Sequence, residues 1–134
     1  MLRRILLPTD GSALSERALG IGETLARAQG AELVLVRVVE PPVPMAAYPY
    51  DYVGPNIYQQ RQQIADALEE DAQARLDELA QTLRSRRVST RTILLHGRAT
   101  LELLDCEERE KPDLVVIATH GRTGLSRLPT ARAC

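Results

Sequence analysis

The chain has 134 residues, 44% hydrophobic and 26% charged, with 17 basic and 18 acidic side chains and a formal net charge of −1. That length holds one domain with one core, and the near-neutral balance excludes the electrostatic footprint expected of a protein that binds a polyanion or a membrane surface. The two cysteines, Cys106 and Cys134, lack the spacing of a disulfide framework or a zinc site. The apolar run after Met1-Leu2-Arg3-Arg4 is too short for a signal-peptide core or a bilayer span, so a cytoplasmic protein is expected.

Short apolar runs alternate with longer amphipathic stretches along the chain. Ile5-Leu6-Leu7-Pro8 reads as a first buried strand, and Ser12 as the N-cap of the helix after it. Leu14, Ala18, Ile21, Leu25 and Ala28 share one helical face, and Gly30 closes the helix. Leu33-Val34-Leu35-Val36 with Val38-Val39 is a second strand, apolar almost throughout. Such a strand is covered on both faces, as in a parallel sheet between helices.

A long connection over 40–57 holds five prolines and Tyr48, Tyr50 and Tyr52, with Tyr58 beside it. A connection of this length is a lid, a partner surface or a disordered loop. A helix of about seven turns follows, with Ile64, Leu68, Ala72, Leu76, Leu79 and Leu83 as its predicted inward stripe. Val88–Leu95 is the third strand, ended by His96-Gly97. A short helix around Leu101 and Leu104 runs to Lys111, and Leu114–Ala118 is the fourth strand.

The order βαβαβαβ predicts a single α/β domain over 1–134, a doubly wound, Rossmann-like parallel sheet with right-handed crossovers. Ligands in such sheets bind beyond the carboxyl ends of the strands, where strand order reverses. Four polar or glycine-bearing segments fall at that edge: Pro8-Thr9-Asp10-Gly11-Ser12, Val38-Val39-Glu40, His96-Gly97-Arg98 and Ala118-Thr119-His120-Gly121. From geometry alone they make a crevice for a small ligand.

Pro-Thr-Asp-Gly-Ser after the first strand, Val38 near the end of the second and Thr-His-Gly-Arg-Thr-Gly-Leu-Ser-Arg after the fourth together resemble the universal stress protein family. The resemblance runs from residue 1 to about 128 and implies an adenine nucleotide (ATP) as ligand, with Mg²⁺ accompanying it. It also implies a stress-response role without catalysis beyond slow hydrolysis or autophosphorylation, and a homodimer or other homo-oligomer. In nucleotide-binding members the residue matching Asp10 lies near ribose and phosphates, those matching Pro8 and Thr9 line the adenine side, and that matching Val38 meets adenine through its backbone. Phosphates lie in a Gly-x-x-Gly, nine residues, Gly-Ser/Thr loop. Its positions fall here on Ala118, Gly121 and Ala131-Arg132, with His120 and Arg122 flanking Gly121.

Two of those positions depart from the pattern. Ala118 replaces the first glycine, and Ala131-Arg132 replaces the Gly-Ser/Thr pair, so the compact hydroxyl donor is lost. Family members continue through a last helix and a fifth strand. The expectation here is four strands only, with that helix and strand missing from a truncated or frame-shifted end, and an altered dimer interface. Binding is then expected to be weak and carried by the base end.

The alternative is a structural or signalling interaction module of the same fold that has lost the nucleotide. Asp10 is open to two roles, ligand contact or helix capping. His96 and His120 have no accompanying nucleophile or carboxylate motif and read as loop histidines. Thr123 and Ser126 are open between phosphate acceptors, as the resemblance implies for some relatives, and plain hydroxyls near a helix start, and Arg84, Arg86, Arg87 and Arg91 read as the solvated end of a helix.

Overall fold

The parallel ladders predicted from the sequence are present in the computed structural model, which describes residues 1–41 and 56–118 and the backbone of 132–133. The elements run β1 (Arg4–Pro8), α1 (Ala13–Gln29), β2 (Glu32–Val39), α2 (Ile57–Ser85), β3 (Thr90–His96), α3 (Ala99–Glu110), β4 (Leu114–Val116) and β5 (Arg132–Ala133). The sheet is ordered β3-β2-β1-β4-β5 and every pairing is parallel. The doubly wound α/β fold with its four main strands is therefore as expected.

A fifth strand was expected to be missing, and the structure corrects this. Arg132 and Ala133 pair with Val115 and Val116, because the outer edge of β4 offers unpaired amides and carbonyls that an extended segment can satisfy. The expectations for the last helix, for Tyr48, Tyr50 and Tyr52, and for Thr123 and Ser126 lie outside the described residues.

Side chains alternate across the sheet and divide the core in two. Ile5, Leu7, Leu33, Leu35 and Val116 face α1 and α2, packing with Ala18, Ala26, Leu76 and Leu83. Leu6, Val34, Val36, Val115 and Ile117 face α3, packing with Leu103 and Cys106. Burial pushes the Cys106 thiol up from its ordinary pKa, so it behaves as a small core hydrophobe.

Two predicted helix stripes are corrected. In α1 the face on the sheet is Ser15, Ala18, Gly22 and Ala26, while Ile21 and Ala28 are exposed. Small residues win there because the helix sits close on β1: a Cβ on Gly22 would meet Leu7 Cδ1 at 2.5 Å. In α2 only Ala72, Leu76, Ala80 and Leu83 are buried, with Leu79 packed beside them, and Ile64 and Leu68 are exposed. The 29 residues of α2 span roughly 43 Å at about 1.5 Å per residue. The eight residues of β2 span only roughly 27 Å at about 3.4 Å per residue, so the first turns of α2 outrun the sheet.

The helix ends follow their sequence signals. Ser12 caps α1, its Oγ accepting from the Ser15 amide at 3.2 Å, and Gly30 closes it at φ 66, its amide donating to the Ala26 carbonyl.

At the amino end of the sheet, Arg4 pairs with Glu32 at 3.1 Å, and Arg91 joins Glu32 at 3.5 Å and Glu110. Asp113 accepts the amides of Arg3 and Arg4 at 2.7 and 3.0 Å. The hydrogen bond from Arg91 holds the Glu110 carboxyl below its usual range, and the two backbone amides do the same for Asp113. Both carboxyls bind fewer protons folded than unfolded, so their stabilisation is present above the ordinary carboxylate range and is lost as pH falls through the lowered values. The melting temperature is therefore expected to fall once pH drops below about 4. Melts at neutral and acid pH check this, and Glu110→Gln should show a shallower acid loss than the parent chain.

Candidate functional site

Strand order reverses between β1 and β4, since β2 and α1 wind to one side of β1 and β4 lies on the other. Beyond their carboxyl ends lies a cavity of about 140 Å³, where such folds place ligands. Its walls are Val36 and Val38 of β2, Ala99 and Leu103 of α3, and Ile117 and Ala118 after β4. Its polar rim is Thr9, Asp10 and Ser15, next to Pro8.

The rim is fixed by local hydrogen bonds. The Thr9 amide donates to the Val36 carbonyl at 2.8 Å, the last link between this loop and β2. Asp10 Oδ1 accepts the Ser12 amide at 2.9 Å, an Asx turn that starts the helix. The Thr9 and Ser15 hydroxyls lie 3.2 Å apart, and the Ser15 hydroxyl donates to the Ser12 carbonyl at 3.1 Å. Gly11 takes φ 83, a left-handed turn that an L side chain resists. Hydrogen bonding from Ser12 holds the Asp10 carboxyl below its usual pKa, against a smaller opposing effect of burial. Asp10 is thus an anion at neutral pH.

Val38 presents a backbone edge here. Alternate residues of a strand point their amide and carbonyl to the same side, and Val36 directs its carbonyl at the Thr9 amide, on the β1 side. Val38, two residues on, directs its own pair that way, past the last β1 pairing at Pro8 with Val36. One donor and one acceptor therefore face the ground that β1 has left.

Five of the predicted site residues thus meet at one crevice: Pro8, Thr9, Asp10, Val38 and Ala118. His120, Gly121, Arg122 and Ala131 lie outside the described residues. Arg132 does not join them at the strand-end loops, because its backbone pairs with Val115 inside the sheet. His96 ends β3 with its Nε2 3.5 Å from Glu69 Oε1. Sequence reasoning missed Ser15, Val36, Ala99, Leu103 and Ile117. The signals were available for two of them: Val36 shares the parity of Val38, and Ser15 lies one turn after the cap. No cluster of three or more metal-ligating side chains exists among the described residues, and none of their helices is long and apolar enough to cross a membrane.

Residues 1–131 match the family described as the universal stress protein family. The chain belongs to the universal stress protein family. A universal stress protein of Thermus aquaticus, encoded in a QAH/OAS sulfhydrylase 3′ region, is 33% identical over 121 residues, covering 90% of this chain and 80% of that protein. Among solved structures, a universal stress protein family member from Burkholderia pseudomallei superposes with a TM-score of 0.77 at 22% identity, covering 98% of this chain and 93% of that one. A universal stress protein family protein from Arabidopsis thaliana, with AMP bound, gives 0.66 at 14% identity over 98% and 89% of the two chains. At these identities the two superpositions speak for the fold.

Proposed function

We propose that this universal stress protein is an adenine nucleotide-binding module, not a catalyst, with the base and ribose in the crevice between β1 and β4. The observation that carries the reading is the open backbone edge of Val38 over an apolar wall. An amide and a carbonyl side by side can imitate a base-pairing edge, while Val36, Leu103 and Ile117 cover the faces of a purine. Asp10 stands at the rim as a charged acceptor for ribose hydroxyls. The AMP bound to the Arabidopsis relative supports the same ligand class. The phosphates of ATP, and Mg²⁺ with them, are assigned to Ala118, Gly121 and Arg122 on sequence position alone. Cytoplasmic location and self-association belong to the same reading, the first consistent with the free, buried Cys106. The second draws on the family resemblance.

Calorimetry with AMP and with ATP tests the reading. Both are expected to bind, with little gain from the extra phosphates. Asp10→Asn keeps an acceptor for the Ser12 amide but removes the charge, so the fold should stay while affinity falls by about tenfold, the equivalent of one charge-assisted hydrogen bond. Equal affinity in the parent and Asp10→Asn would remove Asp10 from the site.

One observation favours the alternative of an interaction module without nucleotide: Arg132 is committed to β5 pairing and not to a strand-end loop. Absence of heat and of any thermal shift with both nucleotides would overturn the nucleotide reading and leave that alternative.

A further inference from the structure

A second cavity of about 240 Å³ opens on the other face of the sheet, between α1 and α2, and shares only Thr9 with the crevice. Arg37 lines it. The residue follows Leu33 and Leu35 on the α1/α2 side of β2, where both leucines are buried in the core. Arg37 itself is half-buried and stands where that core opens. Its Nη1 lies beside the α1 turn, 3.3 Å from where a Cβ on Gly11 would sit.

Arg37 has no hydrogen-bond or ion-pair partner among the described residues. The arginines of the amino end differ: Arg4 and Arg91 both meet Glu32. A guanidinium offers five donors and no acceptor, and withdrawing it from water without a partner is unfavourable. Glu16 and Glu78 line the same cavity, as does Arg75, which Asp71 already engages at 3.1 Å. Leu76 and Leu79 supply an apolar wall.

These groups select a ligand by charge. A phosphate would bring two negative charges against Glu16 and Glu78, and a simple cation would meet Arg37. A molecule with one carboxylate and one ammonium on a short carbon chain satisfies both signs and uses the leucine wall. We propose that this cavity is a second ligand site of the protein, taking a small zwitterion of the amino-acid class whose carboxylate is held by Arg37 and whose ammonium faces Glu16 and Glu78. The site is independent of the nucleotide reading and lies across the sheet from it.

Backbone and arginine-side-chain NMR of the full chain tests this, with 4-aminobutyrate as probe and butyrate, butylammonium and inorganic phosphate as comparators. Saturable shifts are expected at Gly11, Thr82 and the Arg37 Nε, with 4-aminobutyrate the tightest of the four. Arg37→Gln should weaken it by about tenfold or more. Glu16→Gln, a change on the exposed side of α1, should narrow the preference for 4-aminobutyrate over butyrate and lower the melting temperature only slightly, through the lost charge in the first turn of α1. No saturable shift with 4-aminobutyrate, tighter binding of phosphate, or an unchanged affinity in Arg37→Gln would overturn the proposal.

Discussion

Leu7→Ala is expected to destabilise the protein by about 2–5 kcal/mol, the range for removing a leucine side chain from a core that cannot fully collapse. Leu7 is fully buried. It lies on β1, the strand that pairs with both β2 and β4, and it packs under α1 at Gly22. Its large neighbours on this face, Ile5, Leu33 and Leu35, are themselves fully buried and held in the parallel ladders, so they can fill the space of a lost leucine only in part. Against a total of roughly 5–15 kcal/mol for an ordinary domain, the loss is a large fraction. Urea unfolding should show a lower midpoint with an unchanged slope. A change under about 1 kcal/mol would mean that the α1 face is loosely packed.

Gly22→Val is expected to be destabilising by about 1–3 kcal/mol through overpacking. The added Cβ would stand 2.5 Å from Leu7 Cδ1 and 3.4 Å from Leu33 Cδ1, and both leucines are fully buried. Gly20 supplies the contrast within the same helix, since a Cβ there meets nothing within 4 Å. Gly20→Ala should therefore stabilise by about 0.5–1 kcal/mol, the helix-propensity gain alone. In the double variant Leu7→Ala/Gly22→Val, the valine enters space that the leucine vacated, so its cost should be less than the sum of the two single losses. Strict additivity would show that Gly22 and Leu7 are not the contact that limits helix approach.

What the sequence revealed and what it concealed follow from the same physics. The strands were legible because β1, β2 and β4 are covered on both faces, and continuous apolar runs such as Leu33–Val36 admit few other readings. Ser12 and Gly30 were legible because caps depend on local backbone chemistry. The inward face of α1 was not, because apolar periodicity ranks Ile21 above Gly22, while close approach to Leu7 demands the reverse. The exposed Ile64 and Leu68 escaped for a related reason: a stripe records which face is apolar, and only the lengths of β2 and α2 together show where the sheet runs out. At the site, Pro8, Thr9, Asp10 and Val38 could be named in advance because a loop after a parallel strand must lie at the carboxyl edge. Ala99 and Leu103 come from α3, across the crevice, and nothing local to them signals it. Asp10 was open between helix entry and ligand contact, and the structure shows the helix-entry contact, an Asx turn to the amide of the cap residue Ser12. Its charge is left at the rim for a second use.

The second cavity had no sequence signal of its own. An arginine in an apolar strand, such as Arg37 within Glu32–Val39, reads as an edge or end residue. Its distinction is three-dimensional, since Arg4 of β1 and Arg91 of β3 find carboxylates while Arg37 has none among the described residues.

The most direct measurement of the central claim is an amide NMR titration of the intact chain with AMP. If the crevice between β1 and β4 holds the nucleotide, saturable shifts should appear at Thr9, Asp10, Val38 and Ala118, with Gly30 and Val88 at the opposite end of the sheet unmoved. Saturation without shifts at Val38 and Asp10, or no saturable shift anywhere, would contradict it.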